Sequence, residues 1–358
     1  MIINLHKQMF NSREFVLAYD KCFKVTAFKY STGVEALKVE NNMGYYIILP
    51  YQGQQIWRAS FMGEDLVMKT TFNEPVPNKT YLETYGGFLL HCGINSFGVP
   101  EEGYPQHGEI PNADYDTAYV KIDEDENGKY VSVGGIFEFN KSFVKRYQFR
   151  PECKLYKDAT LLKIDIELEN MRNTAMEYMY LCHINFHPID GAELVYTAKY
   201  DSEHIKVFKP DQKPTDVDGI KLYEYMEKIE KNPEIHHKVG ADGQYYSPEM
   251  CLGIKYYGDE NNRAHTMQYT DNGAFYVSHP VDVLPMGIRW ISRTGIEDSM
   301  GMVLPATGEH LGYTYAKNNG QIKMLEPFGV LKYTLEAGYL PKDKADSMKV
   351  KIEKINNN

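Results

Sequence analysis

The stretch Lys154–Asn170 reads KLYKDATLLKIDIELEN. From Leu162 onward Leu162, Ile164, Ile166 and Leu168 alternate with Lys163, Asp165, Glu167 and Glu169. Successive side chains of an extended chain point to opposite faces, so strict alternation predicts a half-buried strand whose apolar face needs a second layer to cover it. The same period recurs in EFVLAYDKCFKVTAFKY (Glu14–Tyr30), GAFYVSHPVDVL (Gly273–Leu284) and VLKYTLEAGYL (Val330–Leu340). Turn signals punctuate it: ENNMG, ENGK, YGDENN, TDNG and KNNG, several ending in the Asn-Gly type of hairpin connection. These patterns predict an all-β fold, a large antiparallel β-sandwich.

Working outward, KIDEDENGK (Lys121–Lys129) predicts a solvated hairpin tip, because it lacks the ligand spacing of a calcium loop. One segment departs from strand periodicity. TDVDGIKLYEYMEKIEKNP (Thr215–Pro233) has Ile220, Tyr223 and Met226 to Ile229 at helical spacing, with Pro233 closing it, and predicts a minor helical insertion on a sheet fold. No linker, composition shift or internal repeat divides the chain, so one domain spanning residues 1–358 is expected.

Composition excludes several function classes. A hydrophobic fraction of 43%, with 29 Tyr and 16 Phe, is that of a folded chain, and such aromatic content suits strands and carbohydrate-binding surfaces. The formal charge of −10 argues against nucleic acid as a partner, since that affinity comes from clustered Lys and Arg. Cys22, Cys92, Cys153, Cys182 and Cys251 are odd in number and far apart, with no C-x-x-C pair, which predicts reduced thiols rather than a disulfide framework or a zinc site. MIINLHKQMF has no signal-peptide pattern, and no run approaches the ~18 apolar residues of a membrane span. A cytoplasmic, membrane-free protein is expected.

Against this background YLCHINFHPIDG (Tyr180–Gly191) stands out. On a strand Met179, Leu181, His183, Asn185 and His187 share a face that turns from apolar to polar. Each buried polar side chain without a partner costs roughly 1–3 kcal/mol, so that face predicts either the wall of a polar cavity or a hydrogen-bonded strand end. A second cluster, SFGVPEEGYPQHGEIPNADY (96–115), is dense in Gly and Pro and holds His107 beside Gly108, where a loop stiffened by prolines can fix a histidine. In a third, GMVLPATGEHLGYTYAKNNG (301–320), strand-like MVL breaks at Pro305 and Glu309 and His310 follow in a loop. Arg58 beside Trp57 and Arg289 beside Trp290 form the last pair of candidates, although tryptophan is more often core than ligand platform. No serine nucleophile elbow, phosphate-binding glycine loop or dinucleotide fingerprint is present.

Taken in order, these segments resemble the aldose 1-epimerase (galactose mutarotase-like) superfamily, and within it the DUF4432-type branch. The matching elements are LPYQGQQIWRASFMGEDL (Leu49–Leu66), GGFLLHCGINSFGVPEEGYPQHGEIPNA (Gly86–Ala113), YLCHINFHP (Tyr180–Pro188), the LP-x-x-x-R-W element Leu284–Trp290, and LPAT followed by Glu309 and Gly312–Tyr313. The resemblance implies a galactose mutarotase-like supersandwich that binds a monosaccharide, uses no cofactor, and interconverts anomers by acid-base ring opening and closure; no ligand spacing calls for a metal, although His107, His183 and His187 could converge. It implies His183 as the general acid and Glu309 as the nearest candidate for the base, with Glu297 and Glu326 in reserve. His107, Asn185, Arg58 and Arg289 are the implied substrate-binding residues. Two other readings stay open: a carbohydrate-binding protein without catalysis, and an epimerase or isomerase acting on a modified or phosphorylated sugar through Arg58, Arg289 or Lys317.

Overall fold

The computed structural model describes residues 1–357. Leu161–Asn170 is a strand in which half-buried and buried residues alternate at every step. Its buried side chains Leu162, Ile164, Ile166 and Leu168 enter the main core. Its outer face carries ion pairs to both neighbouring strands, including Lys154 with Asp165 at 2.7 Å, Arg150 with Glu169 at 2.7 Å and Lys332 with Glu167 at 2.8 Å. Such solvated pairs contribute little individually, about 0–1 kcal/mol; the apolar face decides the register.

That strand lies fifth in a nine-stranded antiparallel sheet, between Lys145–Tyr156 and Val330–Pro341. A larger sheet of 13 strands packs on it. Its middle runs Met250–Lys255, Met286–Arg293, Asp298–Ala306, Met176–Ile184, Leu89–Ile94 and Ile56–Phe61, all antiparallel. The principal core fills the space between the sheets, with members from Leu5 to Tyr339, as the all-β sandwich expectation requires.

The central strand Met176–Ile184 is buried almost throughout. Tyr178, Tyr180, Cys182 and Ile184 point into the inter-sheet core. Met179 and Leu181 belong to a second, smaller apolar cluster with Tyr81, Leu90, Phe97, Ile288 and Leu304. This second cluster covers the outer face of the larger sheet, and the candidate site is cut into it.

Lys121–Lys129 forms the expected hairpin tip, with Asp125 closing one strand and Gly128 opening the next. The insertion is helical over Val217–Lys231, with Asp216 capping it by accepting from the Gly219 amide at 2.7 Å. All five cysteines are free. Two elements differ from expectation. The strand Asp298–Ala306 continues through Pro305, which lies opposite Gly287 one residue from the strand end, where a missing N–H costs the ladder little. KNNG does not make a hairpin; it ends a short helix, Gly312–Asn318. A further helix, Lys342–Asn356, packs Ala345 and Ile352 against Val195, Met267 and Tyr276. Among the described residues no helix is long and apolar enough to cross a membrane.

Candidate functional site

His183 follows Met179 and Leu181 on the outward face of the central strand, where the apolar cover gives way to a cavity of about 200 Å³. Tyr81, Tyr85, His107, Glu249, Trp290 and His310 line it together with His183. The rings are close: centroids are 5.3 Å apart for His107 and His183, 5.4 Å for His183 and Trp290, 5.6 Å for Tyr85 and His183, and 4.5 Å for Tyr81 and His107.

Local backbone chemistry brings the three histidines together. Gly98 has φ +86°, and a Cβ there would lie 1.8 Å from the His310 carbonyl oxygen. That carbonyl accepts from the Val99 amide at 3.0 Å, and the Gly98 carbonyl accepts from the His107 amide at 3.1 Å. Gly108, at φ +83°, passes equally close to the carbonyls of Gly93 and Ser96, where a Cβ would be 2.3 Å from each. The room this glycine leaves is therefore taken by backbone of the strand Leu89–Ile94 and of its own loop. Behind the loop, the buried Glu109 carboxylate accepts from the amides of Ile94 at 3.2 Å and Asn95 at 3.1 Å and from the Tyr147 hydroxyl.

The tautomer of His183 follows from its neighbours. The Asn185 side-chain nitrogen donates to the Gly87 carbonyl at 2.9 Å, which turns its Oδ1 toward His183. That oxygen accepts from the Tyr85 hydroxyl at 2.9 Å and lies 2.7 Å from His183 Nδ1. Nδ1 therefore carries the hydrogen, and neutral His183 keeps a lone pair on Nε2. Burial pushes the His183 and His310 imidazoles down to about 4 and His107 well below its ordinary range, because the charged form loses hydration. All three are neutral at pH 7. The buried Nδ1 atoms of His107 and His310 have no protein partner among the described residues.

The other expected residues fall elsewhere. Glu309 lines an adjacent hollow of about 470 Å³ with Lys206, His204 and Lys255. Lys206 holds its two oxygens at 2.8 and 3.0 Å. Burial raises the Glu309 carboxyl, but Lys206 and Tyr315 outweigh it and keep the group below the usual carboxylate range. Arg289, expected to bind ligand, is fully buried on the opposite face of its strand from Trp290. Its Nε donates to the Met302 carbonyl at 2.9 Å, its Nη1 lies 2.7 Å from His236 Nε2, and its guanidinium stacks 4.2 Å from the Tyr196 ring. Arg58 is likewise spent on structure, donating to the carbonyls of Trp57 at 2.7 Å and Gly86 at 2.9 Å and lying over the Trp57 ring. Asn185 is a support for His183 rather than a lining residue. Regular alternation stops at Ile184, and His187 turns away to pack edge-on to Phe275 of the smaller sheet. No cluster of three or more His, Cys, Asp or Glu suited to a metal assembles among the described residues.

Sequence reasoning missed Tyr85 and Glu249. Glu249 is the carboxylate that lines the His183 cavity, and its Oε2 accepts from Trp290 Nε1 at 2.5 Å. Its only local signal is its position after Pro248 at the entry to the strand Met250–Lys255. No Lys or Arg lines this cavity among the described residues.

Comparison with known proteins agrees with this architecture. The solved structure of a "putative aldose 1-epimerase" from Klebsiella pneumoniae superposes with a TM-score of 0.77 at 16% identity, covering 99% of this chain and 91% of that one. A galactose mutarotase-like protein from Clostridium acetobutylicum gives 0.61 at 15% identity, covering 90% of this chain and 100% of that one. At such identities the likeness is one of fold. No curated protein matches the chain. The family model described as "Domain of unknown function (DUF4432)" matches residues 31–338. The chain therefore belongs to the DUF4432 family, built on the galactose mutarotase-like sandwich.

Proposed function

We propose that the His183 cavity binds a monosaccharide and that the protein is an aldose 1-epimerase-like enzyme exchanging its anomers. The observation that carries this reading is the locked tautomer of His183, which leaves a free Nε2 lone pair beside the aromatic walls of Tyr85 and Trp290. A cavity of about 200 Å³ has room for roughly seven waters at ~30 Å³ each, the scale of a single sugar ring. Aromatic faces stack on the apolar faces of such rings, and the His107 and His310 rings line the same cavity.

Anomer exchange removes the proton from the C1 hydroxyl as the bond from C1 to the ring oxygen breaks, and supplies one to the ring oxygen. The aldehyde then turns and the steps reverse. One proton must pass from the C1 oxygen to the ring oxygen. Neutral His183 accepts the C1 hydroxyl proton at Nε2 and delivers it to the ring oxygen as that oxygen's bond to C1 breaks, and the steps reverse on closure, so burial reverses the starting role that resemblance alone implies for it. The Glu249 carboxylate offsets the charge of the transient His183 imidazolium and accepts from a sugar hydroxyl; Glu309, engaged by Lys206, is the alternative. Because no cationic side chain lines the cavity among the described residues, a neutral sugar suits it better than a phosphorylated one.

The test is anomer exchange followed by NMR over a panel of free hexoses and pentoses. His183→Ala is expected to lose ~10²–10⁴-fold in rate in a protein that a thermal melt shows to be folded at the assay temperature. Exchange at the wild-type rate in that variant would remove His183 from the reaction.

A further inference from the structure

The helical insertion does more than decorate the sheet. Between Phe208, the helix Val217–Lys231 and the loop at Pro248 lies a second hollow of about 620 Å³, about three times the size of the His183 cavity. The two adjoin across Glu249, Cys251 and His310, which line both. His310 is the hinge between them. One side of its ring meets the His183 cavity, and its ring centroid lies 4.5 Å from that of Phe208, edge to face.

The walls of the second hollow are chemically unlike a sugar site. Phe208, Leu222, Tyr223, Met226 and Leu311 supply apolar surface. The charged groups around it already have partners. Asp216 caps the helix through the Gly219 amide, Asp218 accepts from the Tyr245 hydroxyl at 2.7 Å, and Lys209 pairs with Glu230 at 2.6 Å while lying 5.0 Å over the Tyr223 ring. What remains free is greasy and aromatic, next to a smaller polar cavity sized for one ring. An apolar pocket beside a polar one selects a ligand with both characters.

We infer that the physiological ligand is a sugar bearing an apolar aryl or alkyl group, its ring beside His183 and its apolar group against Phe208, Tyr223 and Leu222. The inference rests on reading the His183 cavity as a sugar site, and names the substrate class of that site. The substituent reaches the second hollow past Glu249, either from C1, which makes the ligand a glycoside and an inhibitor of anomer exchange, or from another carbon, which leaves C1 free to react.

The experiment measures dissociation constants by calorimetry for matched sets of probes: a free hexose, its 4-nitrophenyl glycoside and its 6-O-benzoyl ester, in the glucose, galactose and mannose series. At least one substituted probe is expected to bind about tenfold or more tightly than its parent sugar, the gain that burial of an aromatic ring gives after ordering costs. Tyr223→Ala and Phe208→Ala, both half-buried positions, should each remove most of that gain, and Tyr223→Ala, which leaves the Phe208–His310 contact intact, should leave the parent sugar's affinity unchanged, which a general loss of folding would not do. Parent sugars that bind with no gain from either substituent overturn the inference and leave the proposed function standing. A gain that survives both substitutions overturns the assignment of the hollow. Binding gain without anomer exchange of any free sugar supports the inference and removes the isomerase reading, whereas binding of no probe removes both.

Discussion

Around His183, burial holds the titratable rings in their neutral form, with His183 and His310 both pushed down to about 4. Around Glu309, one residue before His310, charges are kept and paired: Lys206 grips both carboxylate oxygens and also donates to the Tyr315 hydroxyl at 2.9 Å. Both regions hold a carboxylate and polar partners, but only the first keeps a lone pair unspent. A proton-transfer site needs a group whose acceptor is free and whose other atoms are fixed, as Asn185 fixes His183. An ion pair whose carboxylate oxygens are both engaged, as Glu309's are by Lys206, is by the same measure less suited to the task.

The largest effect that separates the two regions is expected from their carboxylates. Glu249→Gln should lower kcat for anomer exchange by ~10²–10³-fold, the usual loss of one electrostatic partner at a reacting centre, since it removes the carboxylate lining the His183 cavity. Glu309→Gln should change it less than about tenfold, because its oxygens already serve Lys206. The reverse order, read from progress curves on the same substrate, would return the base role to Glu309.

A smaller effect tests the protonation state of His183. Its pKa is lowered to about 4 by burial, so a role that needs the neutral ring predicts a rate that is flat at neutral pH and falls about tenfold per pH unit below about 4. A role that needs the protonated ring predicts the opposite slope, with the rate rising as pH falls toward that value. Rates corrected for spontaneous exchange between pH 3.5 and 8 distinguish the two.

The same contrast explains how much was legible in the sequence. Leu161–Asn170 was readable because one face meets the core and the other meets water, so period two is written into residue type. Met176–Ile184 is buried on both faces, yet its His183, and Asn185 just beyond its end, still stood out as polar residues among apolar ones. Arg289 misled because an arginine beside a tryptophan reads the same on either face, and only the strand register turns it inward to His236 and Tyr196. Glu249 could not be found by pattern, since its place in the cavity depends on the pairing of Met250–Lys255 with Met286–Arg293, which sets it beside Trp290 across 41 residues of chain. Ala345, Met348 and Ile352 do recur at helical spacing, so the last helix was legible but masked by its many charges.

The smallest effect concerns Lys206. Its side chain is 48% exposed and that of Glu309 10%, so solvent screens the pair and its contribution is expected to stay within about 1 kcal/mol. Glu309's folded carboxyl lies below its ordinary range; the pair therefore stabilises the fold above the usual carboxylate range, and that stability is lost as pH falls through the lowered value. Lys206→Met should leave the chemical-denaturation midpoint nearly unchanged at pH 7, and should abolish whatever part of the pH dependence below 5 belongs to Glu309. If instead Lys206→Met lowered anomer exchange about as much as Glu249→Gln, the hollow around Glu309 would be part of the reacting site, and the boundary drawn between the two regions would have to move to include it.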